Sequence, residues 1–154
     1  MKKELRQWKK VYLDDLSYVA FEMKETVEKP ALILLNGEMG AGKTTFVKQF
    51  LEDKKATSPT YSIVNETIDM VYADFYRLTD ASEISALELS LYLEGKKFFL
   101  VEWGEKYLKS IARELPEDFN IYSLDILINE TVSTVHTNEE NPARNFFLSS
   151  LKLD

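Results

Sequence analysis

The chain alternates between two kinds of apolar pattern, one with a helical period and one of short unbroken runs. Leu13, Leu16, Val19, Ala20, Met23 and Val27 recur near helical spacing and predict an amphipathic helix over roughly 14–27. Asp14 and Asp15 sit where the first turn of a helix favours acids. Ala31-Leu32-Ile33-Leu34-Leu35-Asn36 is apolar until its last residue and reads as a fully buried parallel strand. Phe46, Val47, Phe50 and Leu51 then mark the buried stripe of a helix of about three turns.

Two further strands are expected at Ser62–Glu66 and Met70–Tyr76. Asp80-Ala81-Ser82-Glu83 has capping-box spacing with Asp80 as the cap, so a helical region should follow through about Leu93. Phe98-Phe99-Leu100-Val101 reads as another buried strand, ending at Glu102 and Trp103. Ile121, Leu124, Ile126 and Ile128 predict a later strand, with Val132–Val135 as a possible antiparallel return. The tail reads two ways: a helix begun at Asn141-Pro142, with Pro at its first position, or a last strand over Asn145–Leu148. The alternation predicts a three-layer α/β fold with a mainly parallel central sheet, antiparallel additions at one side, and a site at the carboxyl ends of the strands.

The sequence of 154 residues carries no repeat or Pro/Gly-rich linker, which points to one domain spanning 1–154. It has no cysteine, which excludes disulfide staples and Cys-based zinc sites and fits a cytoplasmic setting. No apolar run is long enough to span a membrane, and the N-terminus lacks a signal-peptide core. The net charge of −7 argues against a free-standing nucleic-acid binder. The exception is local: Lys2, Lys3, Arg6, Lys9 and Lys10 cluster at the start, read as a frayed solvated end or as a contact for RNA or an acidic partner.

The chemistry concentrates in Gly37-Glu38-Met39-Gly40-Ala41-Gly42-Lys43-Thr44, a complete G-x-x-x-x-G-K-[ST] phosphate loop between a strand and a helix. Glycines at 37, 40 and 42 let successive backbone N–H groups converge on phosphate oxygens. The following helix adds its N-terminal donors and positive dipole end. Lys43 supplies charge toward the β- and γ-phosphates, and the Thr44 hydroxyl is a ligand for Mg²⁺. Met39, Ala41 and Thr45 complete the ATP-binding set.

Such a site also needs an acid near the metal, and Glu102 and Asp74 are the candidates. If both face the loop, one would hold Mg²⁺ through water and the other would orient the attacking water. A Ras-like GTPase is disfavoured, because N-K-x-D and D-x-x-G are missing. A small-molecule kinase and a nucleotide-gated binding module remain alternatives, although arginines at 6, 77, 113 and 144 form no Arg-rich lid.

Four blocks in order resemble the TsaE (formerly YjeE) family, ATPases of tRNA threonylcarbamoyladenosine biosynthesis. They are Leu35–Phe46 around the loop, Ser58-Pro59-Thr60-Tyr61-Ser62-Ile63-Val64-Asn65-Glu66, Asp74-Phe75-Tyr76-Arg77-Leu78 and Leu100-Val101-Glu102-Trp103. The resemblance covers about residues 13 to 105. It implies an ATPase acting with TsaD and TsaB in modifying the adenosine beside the anticodon, with tRNA contacted indirectly through the complex. It implies that Thr44 and Glu102 hold Mg²⁺, that Asp74 matters for hydrolysis, and that a late arginine, here Arg144, approaches the nucleotide. The chain departs from the family in Tyr72, where His is common, in Gly104, where Pro is common, and in Leu16, where Thr is common.

Other residues carry expectations of their own. Thr57–Thr60 suits a switch loop or a plain entry to a strand. Trp103 is expected in the core or packed near the nucleotide, Tyr76 in the core, Arg77 in an ion pair or as an in-chain arginine finger, and His136 at the surface.

Overall fold

The unbroken apolar run Ala31–Asn36 forms β2, a strand buried on both faces at the centre of a sheet that has seven strands among the described residues. The structure, a computed structural model, describes residues 1–51, 63–129 and 142–153. The expectations for Thr57–Thr60, for 132–135 and for His136 lie outside the described residues.

The remaining strands are β1 (Lys2–Val11), β3 (Val64–Glu66), β4 (Met70–Asp74), β5 (Phe98–Glu102), β6 (Asn120–Ile128) and β7 (Arg144–Leu151). Their order across the sheet is β1-β7-β6-β2-β5-β4-β3. β6, β2, β5 and β4 run parallel, while β3 pairs antiparallel at one edge and β7 and β1 at the other. The antiparallel additions thus flank both sides of the parallel centre rather than one.

Because side chains alternate across a strand, β2 splits its five apolar residues between two cores. Ala31, Ile33 and Leu35 face α1 (Leu16–Thr26) and α2 (Lys43–Leu51), where Met23, Phe46 and Phe50 are fully buried. Leu32 and Leu34 face α3 (Ser82–Ala86), α4 (Leu89–Leu93) and α5 (Leu108–Glu114). Burial of a side chain such as Phe46 contributes about 1.5–3 kcal/mol, and its ring sits 5.3 Å from Phe146 of β7.

The strand alternative describes the tail. Phe146 and Leu148 alternate into the α1/α2 core and β7 zips along β6, which a helix over the same residues would forgo. The N-terminus is a correction. Lys2–Val11 is a ten-residue edge strand on β7, not a frayed end. Trp8 and Val11 bury its one apolar side. Arg6 donates to both oxygens of Glu22 on α1 at 2.7 Å, and the Trp8 indole donates to the same carboxylate at 3.1 Å. Burial works against the Glu22 charge, but hydrogen bonds from Arg6, Trp8 and Tyr18 outweigh it and hold the carboxyl below its usual value. Lysines along an exposed edge also discourage pairing with other chains.

The capping spacing at Asp80 is realised: its carboxylate accepts from Ser82 N at 2.8 Å, and Glu83 accepts from Thr79 N and Asp80 N. β4 ends at Asp74 rather than Tyr76, because the Asp74 carboxylate accepts from Tyr76 N and closes a turn.

Candidate functional site

The loop after β2 turns back on itself through left-handed glycines. Gly40 and Gly42 have φ of 86° and 103°, a region that side chains resist. Gly37 is needed for a different reason: a Cβ there would lie 2.7 Å from the Ile126 carbonyl oxygen of β6. Lys43 and Thr44 open α2, so the helix N-terminus faces the loop's interior.

The Lys43 ammonium donates to the Gly37 carbonyl at 2.6 Å and stands 3.6 Å from the centroid of the Trp103 ring. Burial lowers the Lys43 pKa, against the opposing pull of Glu102 and Asp74.

The carboxylates reach the loop because of sheet register. β4 and β5 run parallel with Asp74 opposite Glu102, at the carboxyl end of both strands. Glu102 shares its face with Leu100 and Asp74 with Tyr72, all on the side covered by α2. The Thr44 hydroxyl lies 3.3 and 3.2 Å from the two Glu102 oxygens, and the Tyr72 hydroxyl donates to Oε2 of Glu102. Burial raises the Glu102 pKa, and the hydroxyls of Tyr72 and Thr44 offset part of that rise. A buried carboxylate whose ionised form is disfavoured, beside a threonine hydroxyl, is a donor set suited to a hard divalent cation. Among the described residues no group of three or more His, Cys, Asp or Glu side chains is arranged to hold a metal. An ion here would therefore complete its shell with phosphate and water oxygens.

Of the cavities that border the loop, two bring the predicted site residues together. A cleft of about 360 Å³ brings together Met39, Gly42, Thr45, Asp74, Glu102 and Trp103. On the other side, a smaller cavity of about 140 Å³ is lined by Tyr12, Leu13, Leu16, Thr45, Arg144 and Phe146. Leu16 thus belongs to a pocket of mixed polar and apolar lining beside the loop. The Arg144 guanidinium, from β7, donates to the carbonyls of Ala41 at 2.8 Å, of Gly40 at 3.2 Å and of Pro142. It buttresses the back of the loop and lines the smaller pocket at once.

Three expectations change. Trp103 and Tyr76 are not core: they are 36% and 56% exposed and pack on each other with ring centroids 5.2 Å apart at the rim of the cleft. Arg77 is exposed, and no ion pair or site contact forms for it among the described residues. Tyr72 is a contact of Glu102 that the sequence reading did not single out, although its two-residue spacing from Asp74 on a strand was a signal that both share a face. Gly104 has a steric explanation, since a Cβ there would meet Val101 Cγ1 at 2.5 Å.

Residues 12–137 match the family model of TsaE, described as threonylcarbamoyl adenosine biosynthesis protein TsaE. Curated relatives carry the name tRNA threonylcarbamoyladenosine biosynthesis protein TsaE. The one from Bacillus subtilis is 36% identical over 121 residues, covering 73% of this chain and 72% of that protein. The one from Haemophilus influenzae is 36% identical over 92 residues, covering 54% of this chain and 58% of that protein. A crystal structure of Bacillus subtilis YdiB superposes with a TM-score of 0.61 at 25% identity, covering 99% of this chain and 88% of that one. With the phosphate loop, the paired strand-end acids and these likenesses together, the chain belongs to the TsaE family of threonylcarbamoyl adenosine biosynthesis proteins.

Proposed function

We propose that this protein binds ATP with Mg²⁺ and hydrolyses it in support of threonylcarbamoyl modification of the tRNA adenosine beside the anticodon, in the cytoplasm with TsaD and TsaB as partners. The observation that carries this reading is the contact of the Thr44 hydroxyl with the Glu102 carboxylate, beside Asp74 and below a glycine-lined loop.

The triphosphate would lie along the N–H groups of residues 40–45, with the base in the pocket lined by Tyr12, Leu13 and Leu16. Lys43 would leave the Gly37 carbonyl and the Trp103 face to pair with the β- and γ-phosphates. Thr44 and Glu102 would hold Mg²⁺ directly or through water, and that ion would offset charge on the β- and γ-oxygens. Asp74, on the neighbouring strand end, would accept a hydrogen bond from the attacking water and align it for in-line displacement.

Among the described residues no arginine side chain reaches the Thr44–Glu102–Asp74 corner, because Arg144 is engaged with loop carbonyls. Turnover by the isolated chain is therefore expected to be slow, and partner binding to complete the site.

Reconstitution tests this. ATP hydrolysis should rise on adding TsaD and TsaB, and tRNA modification should continue past one turnover. Nucleotide-dependent association without phosphate release would instead mark a binding module. ATP consumption only with a small acceptor, yielding a phosphorylated product, would mark a kinase.

A further inference from the structure

Tyr72 and Asp74 are two residues apart on β4, so the pleat turns both toward the α2 face. Across the parallel pair, Tyr72 stands opposite Leu100 and Asp74 opposite Glu102. The phenol therefore lies one diagonal step behind Glu102, and its hydroxyl spans that step to donate to Oε2. Tyr72 and Glu102 are each 3% exposed, so water does not compete for this bond. Asp74 touches the cleft and Tyr72 does not line it.

The two hydroxyls on Glu102 are not equivalent. Thr44 approaches from the cleft side, at the loop, and its oxygen would become a ligand when an ion enters. Tyr72 approaches from the core side, with its hydroxyl also within reach of the Thr44 hydroxyl. The terminal torsion of a glutamate is broad, so an unanchored carboxylate presents its oxygens over a range of angles. A fixed donor behind one oxygen narrows that range. Hydrogen bonds of this outer kind commonly set metal affinity.

Resting on the reading of this cleft as a Mg²⁺–nucleotide site, we propose that Tyr72 is a positioning residue that fixes the Glu102 carboxylate for the divalent ion. Tyr72 does not touch nucleotide or metal in this arrangement. It acts through Glu102, and a plain core aromatic at the same position would not.

Tyr72→Phe keeps the ring and removes the donor. The affinity of the protein–ADP complex for Mn²⁺, read by electron paramagnetic resonance, should fall about tenfold. ADP affinity measured by calorimetry in chelator, without metal, should not change. In a Glu102→Gln background, adding Tyr72→Phe should cause no further loss of Mn²⁺ affinity, because the residue it positions is gone. The double variant also removes the unpaired carboxylate, which keeps the comparison available if the single variant folds poorly. Unchanged Mn²⁺ affinity in Tyr72→Phe, an equal loss with and without metal, or a further loss in the Glu102→Gln background would overturn the proposal. Absence of any ADP-linked Mn²⁺ binding by the unaltered protein would overturn the site reading as well, a result distinct from the other three.

Discussion

The Lys43 ammonium rests 3.6 Å from the centroid of the Trp103 ring, parked on an indole and on the Gly37 carbonyl. Trp103 reaches that position with φ of 60°, a left-handed backbone that a bulky residue rarely adopts. Its ring is held between the lysine and Tyr76. Lys43 and the aromatic rim are therefore one unit, and on the proposed reading a triphosphate on the loop would separate them.

Trp103 emission should report that separation. Trp8, the other tryptophan, is buried against Glu22 and can be silenced as Trp8→Phe. In that background, ATP should shift or change the intensity of Trp103 emission, and Lys43→Ala should abolish the response. In the same variant the stabilisation by ATP, about 2.7 kcal/mol at 100 times the dissociation constant, should largely vanish from thermal melts. An undiminished melt shift in Lys43→Ala would show that nucleotide binds elsewhere.

Arg144 holds the back of the loop through carbonyls of Gly40 and Ala41. Charged hydrogen bonds of this kind are each worth roughly 1.5–3 kcal/mol. Arg144→Ala should lower the melting temperature and weaken ATP binding at least tenfold. Arg144→Lys should recover little, since one ammonium cannot reproduce the planar fork. Calorimetric ATP titrations of both variants decide this.

Glu102→Gln should divide stability from function. Burial raises the carboxyl's folded pKa above its usual 4.5. The folded state then takes up a proton more readily than the unfolded chain, so this group costs stability as pH rises through that window and beyond. Glu102→Gln should therefore leave the ligand-free melt at pH 7 equal or higher, with a flatter rise in stability toward acid. It should also remove Mg²⁺-dependent tightening of ATP binding.

Glu22 gives the opposite sign. Its folded pKa is lowered, so its contribution is full above about 4.5, the ordinary carboxyl value, and is lost as pH falls through the lowered one. Urea melts between pH 7 and pH 3 should show less acid loss in Glu22→Gln than in the unaltered chain. Equal acid limbs would mean that β1 is not pinned to α1 by this carboxylate.

Gly104→Ala tests the close approach behind Trp103. The added methyl would meet Val101 Cγ1 at 2.5 Å, with Ile111 and Leu34 at 3.3 Å. Overpacking of this kind costs about 1–3 kcal/mol, and a melt as stable as the unaltered protein's would refute it.

Features carried by neighbouring residues were legible without coordinates. The strand Ala31–Asn36, the glycine loop and α2 are contiguous, and loop chemistry depends on spacing along one segment. Glu102 was legible because a charge terminates an apolar run. Asp74 was a candidate as an acid within the strand pattern Met70–Tyr76.

Strand order and register decided the rest. The basic segment Lys2–Val11 carries too many charges to look like a strand, and becomes one because β7 offers a ladder and Glu22 takes Arg6. Arg144 reaches the loop only because β7 lies beside β6. Tyr72 meets Glu102 only because β4 pairs with β5 in a register that sets Asp74 opposite Glu102. Side-chain alternation is written in each strand, but which strands become neighbours is a free-energy balance over the whole core. Contacts between distant segments therefore exist only once that core has formed.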